Sequence, residues 1–210
     1  HAGASHLRIP NPWHYFLTAD ALRISLSPET NSLQRAGMKI SIKEAGFDDL
    51  HDLAQVHVES WQQAYIGLVP QEYLDSLSID ARQKKWEEIF PSNIAENKHL
   101  YIAYDDGQAV GFISFGPNRD ERKGGFAEIY AVYLLRKCWG KGIGYMLFEK
   151  TTQKLLKDGI TKAYLWALST NQNALASYKK WGGLVDETMI TYNQIGGQDV
   201  KDIMVNFDLH

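Results

Sequence analysis

The β-branched and aromatic run Phe126 to Leu134 leads into Gly140-Lys141-Gly142-Ile143-Gly144, and apolar residues then recur at helical spacing from Ile143 through Met146, Leu147 and Leu155 up to Gly159. A strand, a glycine turn and a helix in that order constrain the fold more than any other stretch of the chain, because the helix must pack back against the sheet that the strand belongs to. A glycine turn feeding a helix also gathers unpaired backbone N–H groups and the positive end of the helix dipole at one spot, which suits a phosphate. The same spacing serves an ordinary tight strand-to-helix connection, and taken alone it leaves both readings open. It is not a Walker A loop, which needs Gly-x-x-x-x-Gly-Lys-Ser/Thr, and Met146 and Leu147 stand where a dinucleotide fingerprint needs its third glycine.

Around this unit, strand and helix periods alternate. Met38 to Lys43 has period two, and Leu50, Leu53, Ala54, His57, Trp61, Ala64 and Tyr65 mark a helix stopped by Gly67 and Pro70. A second helix is expected over Ile79 to Phe90. Leu100 to Tyr104 and Ala109 to Phe115 flank Asp106-Gly107, a hairpin signal. After the glycine unit come a strand at Ala163 to Leu168, a helix at Asn173 to Trp181, and two closing strands, Leu184 to Tyr192 and Val200 to Leu209, joined across Gly196-Gly197. The order predicts an α/β domain spanning residues 38–210. Residues 1–37 begin with His1 rather than Met, hold Pro10, Pro12 and Pro28, and show no sustained apolar period, so they are expected to be an N-terminal extension, processed or added by cloning.

Composition narrows the function classes. With 44% hydrophobic and 22% charged residues the chain can bury a core of its own, which excludes disordered and coiled-coil readings. A net charge of −3 offers no concentrated basic field, so no nucleic-acid partner is expected. No window is apolar for long enough to span a membrane, and Trp13 to Leu22 is interrupted by His14, Thr18 and Asp20, so neither a membrane partner nor a signal peptide is expected. The single cysteine, Cys138, permits no intrachain disulfide and no multi-cysteine zinc site, and the expected location is the cytoplasm. No metal is expected.

Three stretches read together point to a family. Glu128-Ile129-Tyr130-Ala131-Val132-Tyr133-Leu134, then Trp139-Gly140-Lys141-Gly142-Ile143-Gly144, then Asn171-Gln172-Asn173-Ala174 with Tyr178 and Gly182, resemble the GNAT superfamily of acetyl-CoA-dependent N-acetyltransferases over about residues 38–208. The resemblance implies the GNAT fold, a mixed and mostly antiparallel sheet flanked by helices. It implies acetyl-CoA as co-substrate, an amine as acceptor, and direct transfer between them. Homodimers being common in the family, the oligomeric state is left open. The signature Gln/Arg-x-x-Gly-x-Gly/Ala departs at its first position, where Trp139 stands, which shifts the expected hold on the pyrophosphate to backbone amides and Lys141.

By the same resemblance, the pantetheine arm pairs along Val132, Tyr133 and Leu134, and the pyrophosphate rests on the amides of Gly140, Lys141, Gly142, Ile143, Gly144 and Tyr145. Asn171 is expected near the pantetheine and Tyr178 near the thioester sulfur. Gly182-Gly183 replaces the usual Gly-Phe, so one apolar contact is expected to be missing. Trp61 and Tyr65 lie where the family faces its acceptor, as pocket walls or as core.

Transfer needs a neutral nitrogen, and an aliphatic amine is neutral only about once in 2,500 molecules at pH 7. Glu128 sits where some family members keep a catalytic glutamate, and it reads either as that base or as a solvated or salt-bridged strand carboxylate. Tyr178 reads as a donor to the departing thiolate or as a packed tyrosine. A phenol is a weaker acid than a thiol, so hydrogen bonding to developing charge describes the first role better than full proton transfer. His57 reads as a packing histidine and Cys138 as an inert thiol. Lys150, Lys154 and Lys157 read as the solvated face of their helix. The alternative of a different class is a CoA-binding sensor that keeps the fold without turnover.

Overall fold

A computed structural model describes residues 38–210, so the expectations for residues 1–37 lie outside the described residues. The elements are β1 (Ile40–Glu44), α1 (Leu50–Ala64), α2 (Gln71–Asp75), α3 (Ile79–Ala95), β2 (His99–Asp105), β3 (Gln108–Pro117), β4 (Ala127–Leu134), α4 (Ile143–Lys157), β5 (Lys162–Leu168), α5 (Gln172–Lys180), β6 (Leu184–Ile195) and β7 (Gln198–Asp208). Seven strands form one sheet in the order β1-β2-β3-β4-β5-β7-β6. Every neighbouring pair is antiparallel except β4 and β5, which are parallel because α4 carries the chain back between them.

The helices cover opposite faces. Period-two alternation sends Phe112 and Tyr133 toward His57 on α1 and Trp86 on α3. Tyr101 and Phe115 pack with their rings tilted, 5.4 Å apart, on the other face, where Lys150 of α4 lies over the Tyr101 ring. Lys150 is thus half-buried along its stem, while Lys157 is exposed and Lys154 pairs with Asp158. The apolar stripe of α1 is buried as its spacing predicts, from Leu50 and Leu53 through His57 to Trp61.

Two local features differ from the sequence reading. The helix expected to stop before Pro91 runs on to Ala95. Pro91 removes one helical donor but sits in the last turns, where Ser92 Oγ donates to Ile89 O and Glu96 N donates to Ser92 O, while Trp86 and Phe90 anchor the helix from below. The five-residue α2 follows Pro70 and is too short to show a period.

Candidate active site

The ladder between β4 and β5 registers only Ala127 with Ala163 and Glu128 with Tyr164. Beyond that point the two strands diverge, although β4 continues to Leu134 and β5 to Leu168. The divergence has a local cause on β4. Ser114 opposes Ala131 while Phe115 opposes Ile129, so Tyr130 is an extra residue, a bulge that bends the strand away. The β5-facing edge of Val132 and Leu134 carries no ladder to β5 among the described residues.

The glycine turn lies at the open end of this gap. Leu135 N donates to Val110 O, a short turn follows over Arg136–Cys138, and Gly142 caps α4 with φ +80°, a left-handed value that a side chain would strain. The first hydrogen bond of α4 runs from Met146 N to Gly142 O, so the amides of Ile143 and Gly144 have no acceptor inside the helix. A Cβ on Gly144 would sit 3.1 Å from Trp181 and 3.2 Å from Leu134, so glycine lets α4 approach the strand and α5 closely. Tyr145 is half-buried with its ring toward Phe148 and Trp181, and Lys141 is exposed. Cys138 is buried, and burial pushes its thiol up, which suits an inert role.

Trp139 does not stand in for a cation, but it carries one. Its indole N–H donates to Leu134 O at 3.0 Å, and the Arg136 guanidinium lies 5.6 Å above its ring. Gln63 Oε1, at the end of α1, accepts from Arg136 N at 2.6 Å and ties that helix to the turn. A cleft of about 380 Å³ opens here, lined by Gln63, Ile66, Leu68, Arg136, Trp139 and the segment 170–173. Sequence reasoning missed Arg136. The signal was its place three residues before Trp139, since a tight three-residue turn eclipses positions i and i+3.

Asn171 caps α5, its side-chain oxygen accepting from Ala174 N at 3.1 Å, and it lines the cleft. Tyr178, two turns along the same helix, is fully buried beside Trp181 and Phe207. Burial, and secondarily the nearby Tyr133, raises its phenol well above the ordinary value, so it stays a neutral donor. Tyr133 is also pushed up by burial, opposed by hydrogen bonding from Trp61 and by the charge of Arg82. Trp61 and Tyr65 are buried, their rings 4.8 Å apart and Tyr73 5.9 Å from Trp61. Neither Trp61 nor Tyr65 lines the cleft, which their neighbours Gln63, Ala64 and Ile66 reach. His57 packs in the same aromatic cluster, 4.7 Å from the Tyr133 ring, and burial holds it neutral.

Glu128 is fully buried, and its carboxylate accepts four donors. Arg119 N and Nε each lie 3.0 Å from Oε2, Tyr164 Oη lies 2.8 Å from it, and Arg119 Nη2 lies 2.5 Å from Oε1. The carboxylate is therefore salt-bridged to Arg119 and not solvated, which corrects the solvated alternative. At Gly183 a Cβ would meet Val205 at 2.6 Å and Phe207 at 2.8 Å, so these two side chains of β7 pack directly against the glycine. Among the described residues no group of acidic, histidine and cysteine side chains could hold a metal, and no helix is long and apolar enough to cross a membrane.

Residues 54–183 match the family model described as the acetyltransferase (GNAT) family. The chain belongs to the GNAT acetyltransferase family. It is 34% identical over 137 residues to the uncharacterized N-acetyltransferase YuaI of Bacillus subtilis, a match covering 65% of this chain and 76% of that one. It is 28% identical over 153 residues to the spermidine N(1)-acetyltransferase of Thermoplasma acidophilum, covering 72% and 92%. The crystal structure of the PaiA N-acetyltransferase of Thermoplasma acidophilum in complex with coenzyme A superposes with a TM-score of 0.65 at 25% identity, covering 81% of this chain and 99% of that one. The GNAT segment ends before β6, so the closing hairpin belongs to the shared fold by structure rather than by the family model.

Proposed function

We propose that the chain is an acetyl-CoA-dependent N-acetyltransferase that passes the acetyl group directly to a primary amine, of a small molecule or of a protein lysine or N-terminus. The observation that carries the proposal is the divergence of β4 from β5 beyond Glu128 and Tyr164, with the α4 turn at its open end. An open strand edge pairs with an extended amide-bearing arm as an added strand would, and the helix start accepts a pyrophosphate. These residues fit CoA: Val132, Tyr133 and Leu134 for the arm, Gly140 through Tyr145 for the pyrophosphate, and Asn171 beside the cleft. Arg136, held over Trp139, adds the cation that the signature position lacks.

Bound acetyl-CoA supplies a thioester activated toward a neutral amine. The protein's part is to hold the two partners and to favour the leaving thiolate. Tyr178 donates a hydrogen bond to that charge, and its raised pKa keeps the donor in place across the working pH range. Trp61 and Tyr65 form the aromatic backing of the acceptor side, with Ile66 and Leu68 at the cleft itself. The spermidine relative supports a small polyamine within the acceptor class.

Release of free thiol from acetyl-CoA, measured across a panel of amines and peptides with product masses read by mass spectrometry, tests the proposal. Turnover with at least one amine is expected. Thermal stabilisation by CoA with no turnover on any acceptor would select the binding-module reading, and no stabilisation by CoA would overturn both.

A further inference from the structure

We propose that Arg119, Glu128 and Tyr164 form a latch that sets how far β4 and β5 part, and so places the thioester of the acyl donor. The assignment rests on the acetyl-CoA reading above and makes Glu128 a positioning residue rather than the base.

The latch sits where the gap begins. Glu128 and Tyr164 are the last pair in register between the two strands, and their side chains bond directly, Tyr164 Oη donating to Glu128 Oε2 at 2.8 Å. Arg119, in the loop after β3, closes over this bond. Its backbone N–H is shared between Glu128 Oε2 at 3.0 Å and Tyr164 Oη at 3.3 Å, and its guanidinium takes both carboxylate oxygens. The guanidinium carbon also lies 4.1 Å from the centre of the Tyr130 ring. Tyr130 is the bulge residue that bends β4 away. One side chain therefore fixes the last paired residue and the residue that ends the pairing.

Of the four donors on this carboxylate, three converge on Oε2 and one meets Oε1, so Oε2 has more donors than lone pairs. Oε2 has no acceptor position left for a substrate ammonium, and the carboxylate as a whole is buried. Buried ion pairs of this kind add little net stability compared with apolar residues of the same volume, and their contribution lies in fixing one geometry. At this point of the sheet the geometry fixed is the closed end of the pantetheine gap, where the strands begin to part.

Calorimetric titration of CoA and of adenosine 3′,5′-bisphosphate into wild type, Tyr164→Phe, Glu128→Gln and Arg119→Ala, well below each unfolding midpoint, tests the latch. The bisphosphate carries the 3′-phosphate and the first 5′-phosphate but lacks the second pyrophosphate phosphate and the pantetheine arm. Loss of hydrogen bonds to a buried charge predicts CoA affinity weakened about tenfold in Glu128→Gln and Arg119→Ala, and less in Tyr164→Phe, with the bisphosphate unchanged. The acid limb of the kcat/KM profile for the acceptor is expected to persist in Glu128→Gln. Equal losses for both ligands would mean general damage and overturn the latch. Unchanged CoA affinity with a collapsed kcat and a vanished acid limb would restore Glu128 as the base. Wild type that fails to bind CoA would overturn the cofactor reading itself, a result separable from every variant outcome.

Discussion

Gly183 should be the most sensitive small residue of the α5 region, and the reason is space rather than backbone conformation. Its φ is ordinary, its N–H donates to Tyr178 O at 2.8 Å, and a Cβ would meet Val205 Cγ1 at 2.6 Å, Phe207 Cε1 at 2.8 Å and Tyr178 O at 2.8 Å. Val205 and Phe207 are buried on β7, so neither can swing into solvent, and the carbonyl belongs to α5 itself. Gly183→Ala must therefore displace the end of α5, the helix that carries Tyr178. Overpacking of this kind costs about 1–3 kcal/mol. For a domain of this size that is a fall in Tm of about 2–12 °C, measured by circular dichroism without ligand.

Gly182→Ala separates the two causes. Gly182 has φ +91° with nothing within 4 Å of its Cβ direction, so its substitution is strained in the backbone alone, by about 1–2 kcal/mol. Val205→Ala should relieve Gly183→Ala by at least about 0.5 kcal/mol in a double-mutant cycle and leave the cost of Gly182→Ala unchanged. A Tm within experimental error of wild type for Gly183→Ala would refute the packing argument, and so would the absence of coupling to Val205. Loss of kcat beyond the loss of folded protein is expected as well, because Tyr178 moves with the helix.

Three further outcomes follow from the site. Tyr178→Phe should lower kcat by up to about 100-fold with KM for acetyl-CoA little changed, the signature of a donor used at the transition state; full kcat would make Tyr178 a packing residue. Arg136→Ala should weaken CoA about three- to tenfold at low salt and less at high salt, since the guanidinium is exposed, as a binding isotherm at two ionic strengths would read. Burial and the nearby Arg82 hold His57 well below its ordinary value, so below pH 6.5 the unfolded chain binds a proton that the folded chain does not. Stability from this group is therefore complete above pH 6.5 and falls as pH drops, by about 1 kcal/mol between pH 7 and 5.5. His57→Leu should flatten that part of the Tm–pH curve, and an unchanged slope would place the effect elsewhere.

The element order was legible because the elements carry their own signals: a period of two along Met38 to Lys43, three to four along α1 and α4, and two apolar runs flanking Asp106-Gly107 for β2 and β3. The fold as a whole followed from the resemblance carried by Glu128 to Leu134 and the glycine turn. The loop after β3 and the turn over Arg136–Cys138 were not legible, and the proposed site depends on them. Arg119 lies in a loop with no period, and nothing in its spacing links it to Glu128 or Tyr164; only the sheet brings the three together. The isolated sequence therefore left Glu128 divided between base and ion pair, a choice that depends on a residue from another strand's loop. Trp139 is the opposite case, because its partner is local. A signature position with the wrong chemistry reads as a loss until the turn over Arg136–Cys138 brings a guanidinium onto the indole. The proposed cation lies three residues along the chain from the signature position and is brought beside it by the turn, so its place follows from the turn's geometry and not from the motif.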